Sequence, residues 1–115
     1  MLDDIPVRQK DLLFYRTSSG RVPFQDWYFD LRDKRTRAVI NARLERLQYG
    51  GHAGKVEPVG DGVFELKIYF GPGYRIYFGQ ENRRVVVVLC GGDKDSQVLD
   101  IERAKHYWLD YRRKI

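Results

Sequence analysis

The chain reads as an α+β domain: a small antiparallel sheet, an αα-hairpin against one of its faces, and a helix at the C-terminal end. Three patterns support this. Apolar side chains recur at helical intervals over residues 22–49, and they alternate at period two over residues 62–90 between glycine-marked turns. They return to helical spacing over residues 96–113. A short apolar strand precedes the first helix, so the element order is β-α-α-β-β-β-α.

Residues 11–16 (DLLFYR) form the first strand, ended by the turn Thr17-Ser18-Ser19-Gly20. Val22-Pro23 opens a helix to about Leu31, with proline where a helix accepts it. Phe24, Trp27, Tyr28 and Leu31 share one apolar face of it. Asp33 is the expected N-cap of a second helix, residues 34–49, stopped by Gly50-Gly51. Ile40, Leu44 and Leu47 line one side, and Arg35, Arg37, Arg43 and Arg46 the other.

From Lys55 the period becomes two, and residues 62–70, 74–80 and 83–90 read as strands. The last of these is apolar throughout from Val85 to Cys90, as in a central strand, and its far edge suits pairing with the first strand. The final helix sets Val98, Ile101, Ala104, Trp108 and Tyr111 on one face.

Alternation also sorts the chemistry. Phe64, Leu66, Ile68 and Phe70 share a face with Tyr74, Ile76 and Phe78, which predicts a three-residue loop, Gly71–Gly73, with Phe70 across from Tyr74. A two-residue loop would set Lys67 against Ile76 and bury charge. The opposite face then carries Glu65, Lys67, Tyr69, Arg75 and Tyr77 and is expected to be exposed, with Lys67 across from Tyr77 and Tyr69 across from Arg75. Gly91-Gly92 permits a sharp exit from the sheet, Asp95 or Ser96 can cap the last helix, and Lys94 projects nearby.

Composition bounds the function. At 115 residues, 43% hydrophobic and 14% aromatic, residues 1–115 are expected to make one folded domain. Lys and Arg number 21 against 16 acids, a net charge of +5, which suits a nucleic acid or other polyanion as well as plain solubility. The one cysteine, Cys90, lies in an apolar run and reads as a buried thiol. Met1–Pro6 has no basic or apolar leader pattern, and no apolar stretch reaches the ~20 residues of a membrane span, so the cytoplasm is the expected location. His52 and His106 lack a second ligand at metal spacing, and Asp93-x-Asp95 reads as a turn, so no metal is expected. The sequence offers no glycine-rich phosphate loop and no nucleophile triad.

The strings GVFELKIYFGPGYRIY (62–77), LCGGDK (89–94) and DIERA (100–104), with Pro-Phe-x-x-Trp at 23–27 and the arginine-rich second helix, resemble the RelE/ParE toxin superfamily. The resemblance is to its phage-derived, HigB-like branch, the addiction-module killer proteins. It implies the toxin of a type II toxin–antitoxin pair, a metal- and cofactor-free endoribonuclease. Such a toxin cleaves mRNA on the ribosome by attack of a 2′-hydroxyl on the adjacent phosphate. The implied partners are mRNA, the ribosome and a helix-turn-helix antitoxin, with no membrane. By the same resemblance, Lys67 and Arg75 engage the cleaved phosphate and Lys94 assists. Glu65 stands where some relatives carry a second basic residue, and residues 95–100 hold neither Tyr nor His, so Glu65 is a further candidate for acid–base work. Tyr69 and Tyr77 are candidates for stacking on bases, and Arg43 and Arg46 for RNA contact. Two rivals follow from the same resemblance: a non-enzymatic toxin that poisons DNA gyrase, and a decayed module that only binds its antitoxin.

Overall fold

The computed structural model describes residues 9–114, so the leader reading at Met1–Pro6 lies outside the described residues. The elements are β1 (Asp11–Phe14), α1 (Pro23–Asp30), α2 (Lys34–Tyr49), β2 (Lys55–Gly60), β3 (Val63–Ile68), β4 (Tyr74–Glu81), β5 (Val85–Asp93) and α3 (Gln97–Arg113). The α+β architecture is as predicted, with one strand more. β2 was missed because Pro58 interrupts its alternation. Proline, which cannot donate to a ladder, is tolerated here because β2 is an edge strand.

The sheet has five strands in the order β1-β5-β4-β3-β2. β1 does pair with β5, but in parallel, so the sheet is mixed rather than wholly antiparallel. α1 and α2 cover one face: Phe24, Ile40 and Leu44 pack with Leu66, Ile68, Ile76, Phe78, Val86 and Val88. α3 covers the other, where Ala104 and Trp108 meet Val63, Tyr77, Val87, Leu89 and Cys90. β5 is thus buried on both sides, as its unbroken apolar run requires.

Local rules explain the helix ends. Pro23 begins α1. Asp33 caps α2, accepting from the backbone N–H of Arg35 at 3.1 Å and from the Thr36 hydroxyl at 3.0 Å. Gly50, in the left-handed region, ends it. These bonds to Asp33 hold its carboxyl below the ordinary value, the Thr36 hydroxyl contributing most. A carboxyl depressed by folding stabilises above its unfolded pKa of about 4, and that stabilisation disappears as pH falls through the folded value. Asp33→Ala is therefore expected to lower the thermal midpoint at pH 7, and the gap to the native chain should close near pH 2. A gap of the same size at both pH values would refute the cap.

Three glycines in the sheet leave room for side chains from the helices. A Cβ at Gly79 would enter the Trp108 ring, one at Gly91 the Trp27 ring, and one at Gly92 the Asp100 carboxylate. Gly91-Gly92 is consequently not a sharp exit. β5 runs on through both glycines to Asp93. Cys90 is 5% exposed beneath α3, and burial pushes its thiol up to about 12. Native protein should resist alkylation at pH 8 and react fully only in denaturant. Rapid labelling of the folded chain would contradict this placement.

Candidate anion-binding site at one end of the sheet

The β3–β4 register differs from the predicted one. Ile68 pairs with Tyr74, Lys67 with Arg75, Leu66 with Ile76 and Glu65 with Tyr77. The loop is five residues, 69–73, because Tyr69 and Phe70 leave the ladder, and Gly71 and Gly73 take positive φ to turn the chain. Loops of three and five residues both keep the apolar sets on one face, so alternation could not choose between them. In the observed register Lys67 lies directly across from Arg75 instead of Tyr77.

The face carrying these residues is not open, because the N-terminal half of α3 lies over it. Tyr77 is fully buried and Glu65 is 1% exposed. The base-stacking role expected of Tyr77 does not hold, since no face of its ring is free. Its phenol donates to Glu65 Oε2 at 3.0 Å. Burial, and then the Glu65 charge, hold that phenol far above its ordinary pKa, so it is a fixed donor at neutral pH. Gln97, the first residue of α3, donates its side-chain amide to the same oxygen at 2.9 Å. With its Oε2 bonded to Tyr77 and Gln97, Glu65 is a buried counter-ion.

The two cations converge on that carboxylate. Lys67 Nζ lies 3.9 Å from Glu65 Oε1, and Arg75 Nε lies 3.6 Å from Oε2. Arg75 also donates through Nη1 to the Gly73 carbonyl at 3.1 Å, while its buried Nε has no hydrogen-bond partner among the described residues. The Lys67 side chain is 21% exposed and that of Arg75 is 12%, so they line a recess at the sheet's end rather than standing on a wet surface.

Chain topology gathers more charge at this end. The start of β2, the end of β3, the start of β4 and the end of β5 lie together, as the pairs Lys55–Lys67 and Tyr74–Asp93 show. Lys94 is exposed in the turn that follows β5, and Tyr69 is 72% exposed just beyond β3. Asp93 holds that turn, its Oδ1 accepting from the backbone N–H of Asp95 at 2.9 Å and of Ser96 at 3.1 Å. Ser96 occupies the cap position of α3, but its hydroxyl donates to Asp100 at 2.5 Å and makes no cap bond. Asp95 is not the cap. Val98 is 78% exposed and off the buried stripe of α3, because Gln97 and Asp100 face the sheet in the first turn.

Arg43 donates to the Ala53 carbonyl at 2.9 Å and Arg46 to that of His52 at 3.4 Å, so both brace the loop leading into β2. Arg46 remains exposed. Residues that sequence reasoning missed are Glu57, 3.6 Å from Lys67 Nζ, Lys55, 3.0 Å from Glu57, and Gln97. The alternation of Lys55, Val56 and Glu57 was a usable signal for the first two; Gln97 gave none.

Among the described residues, no cluster of three or more His, Cys, Asp or Glu side chains is placed to hold a metal ion, and no helix is long and apolar enough to cross a membrane. What the recess offers is fixed positive charge, hydrogen-bond donors and an α3 N-terminus at its side, a combination suited to an oxyanion.

An uncharacterized protein of Haemophilus influenzae is 48% identical over 82 residues, 71% of this chain and 82% of the relative. A family model described as phage-derived protein Gp49-like (DUF891) matches residues 27–106, from Trp27 of α1 to His106 of α3, and so contains every residue of the recess. The chain belongs to this Gp49-like family, a family of toxin–antitoxin toxins of the RelE/HigB type.

Proposed function

We propose that this protein is the toxin of an addiction module of the HigB-like branch, acting in the cytoplasm as a single-domain mRNA endonuclease on the ribosome. The observation that carries the reading is the Lys67–Arg75 pair, set opposite one another in the ladder and both within 4.0 Å of one carboxylate. A phosphate at the mouth of this recess would meet a guanidinium and an ammonium together.

Cleavage needs a proton removed from the 2′-hydroxyl, charge offset on the pentacoordinate phosphorus, and a proton delivered to the departing 5′-oxygen. The products are a 2′,3′-cyclic phosphate and a 5′-hydroxyl. Arg75 and Lys67 offset the charge, solvent water takes the 2′-hydroxyl proton, and an ammonium, Lys67 or Lys94, protonates the leaving oxygen. Glu65 orients both cations instead of moving protons. Tyr69 offers an exposed ring on which a base can stack, and Arg46 an exposed guanidinium for ribosomal or messenger RNA. A helix-turn-helix antitoxin completes the pair.

The test is purified protein added to translating ribosomes, with transcript ends mapped. New ends within coding sequence support the reading, and intact transcripts from folded protein refute it. One observation favours a second reading: Lys67 and Arg75 are each within ion-pairing distance of an acid of the same chain, which suits a catalytically idle sheet. A gyrase-poisoning toxin would then inhibit supercoiling and leave mRNA whole. A decayed module would do neither and would still bind its antitoxin.

A further inference from the structure

We infer that Glu57 is an intramolecular anion that occupies the Lys67 ammonium and sets how strongly this end of the sheet binds a polyanion. The inference rests on the reading that RNA phosphate docks at Lys67 and Arg75.

Glu57 lies directly across from Glu65 in the β2–β3 ladder, an arrangement in which two carboxylates repel. Lys67 relieves it: its Nζ is 3.6 Å from Glu57 Oε2 and 3.9 Å from Glu65 Oε1. Lys55 holds the other side of Glu57, 3.0 Å from Oε1. These contacts, with Lys55 the stronger, keep the Glu57 carboxyl below its ordinary value, so it is charged at neutral pH.

The two carboxylates are not equivalent. The Glu65 side chain is 2% exposed and bonded to Tyr77 and Gln97, so it cannot leave. The Glu57 side chain is 42% exposed, sits on the edge strand, and is ion-paired to two flexible lysine ammonium groups. A rotamer change returns it to water at little cost, because an ion pair this exposed is weak. Lys55, Lys67 and Arg75 bring three positive charges against the two negative charges of Glu57 and Glu65; with Glu57 displaced, the excess rises from one to two and the Lys67 ammonium is open to a phosphate. Among the described residues the acid paired with Arg75 is Glu65, so of the two phosphate-docking cations Lys67 is the one that Glu57 controls.

Full-length protein would be titrated into fluorescein-labelled single-stranded RNA bearing 2′-O-methyl groups, which cannot be cleaved, and anisotropy read across a salt series. Glu57→Gln is expected to tighten binding about three- to fivefold, the upper range for releasing an exposed ion pair. The slope of log affinity against log salt should steepen by about 0.7, one extra phosphate contact on a single strand. Glu45→Gln, an equal charge change on the exposed side of α2, should give neither effect. In a Lys67→Ala background the gain from Glu57→Gln should vanish. Equal behaviour of the two Gln variants, persistence of the gain without Lys67, or no RNA binding by any variant overturns the inference. Because this RNA cannot be cut, binding that responds to Glu57 with intact transcripts on ribosomes would retire the nuclease reading and keep this one.

Discussion

Arg75→Ala is expected to slow mRNA cleavage by about two to three orders of magnitude while leaving the fold in place. A positioned donor to a developing oxyanion contributes roughly 3–4 kcal/mol to the barrier, and each 1.36 kcal/mol is about tenfold in rate. The Arg75 guanidinium is held in place, the Gly73 carbonyl accepting from it on one side and Glu65 lying against Nε on the other. Removing it also leaves Glu65 with Lys67 as its remaining cation, so a thermal midpoint should accompany every rate. Arg75→Lys keeps the charge and loses the planar fork, and it should fall between the native chain and the alanine variant. Folded Arg75→Ala protein cutting within tenfold of native would remove this residue from the mechanism. Should the alanine variant fail to fold, native-like cutting by the lysine variant would count equally against the fork.

The largest stability effect is expected where α3 meets the sheet. Trp108 is 6% exposed, stacks on Tyr111 at 5.6 Å, and lies against the bare backbone of Gly79. Trp108→Ala should cost about 3–5 kcal/mol, the usual loss for truncating a buried large aromatic. Gly79→Ala should cost about 1–3 kcal/mol through overpacking, because its methyl group would occupy space the indole already fills. The two changes relieve each other, since the methyl fits once the ring is gone. In denaturant titrations the double variant should therefore be more stable than the sum of the single losses predicts, by at least about 0.5 kcal/mol. Strict additivity would mean that Gly79 is small for some reason other than the ring.

This contact also shows what alternation can and cannot reveal. That Glu65, Lys67, Arg75 and Tyr77 share a face was readable from the strands, and it holds. Whether water or protein covers that face was not readable from those strands. The signal lay one strand away, where Val87 and Leu89 are as apolar as Val86 and Val88 and so demand cover on both sides of β5. α3 supplies that cover, and in crossing β4 and β3 it encloses Tyr77 and Glu65 as well. Reading the polar face as wet was reasonable for an antiparallel hairpin alone, but it failed once β5 and α3 were considered together.

The candidate site was legible in the same partial way. Lys67, Arg75 and Glu65 could be grouped because period two puts every second side chain on one side. Glu57 and Gln97 could not be attached to them, since one required recognising a proline-containing edge strand and the other the landing point of a helix more than 30 residues away in sequence.

Local chemistry in the sequence thus determined the element types apart from β2, the cap and stop of α2, and which side chains travel together, because each depends on neighbours within a few residues. The tertiary structure alone decided the two-residue choice of register between β3 and β4, the parallel docking of β1 and the burial of Glu65 and Tyr77. It also decided the capture of Lys67 by an edge-strand carboxylate. Those outcomes depend on shape and charge meeting across long loops, and no periodicity encodes where distant surfaces come to rest.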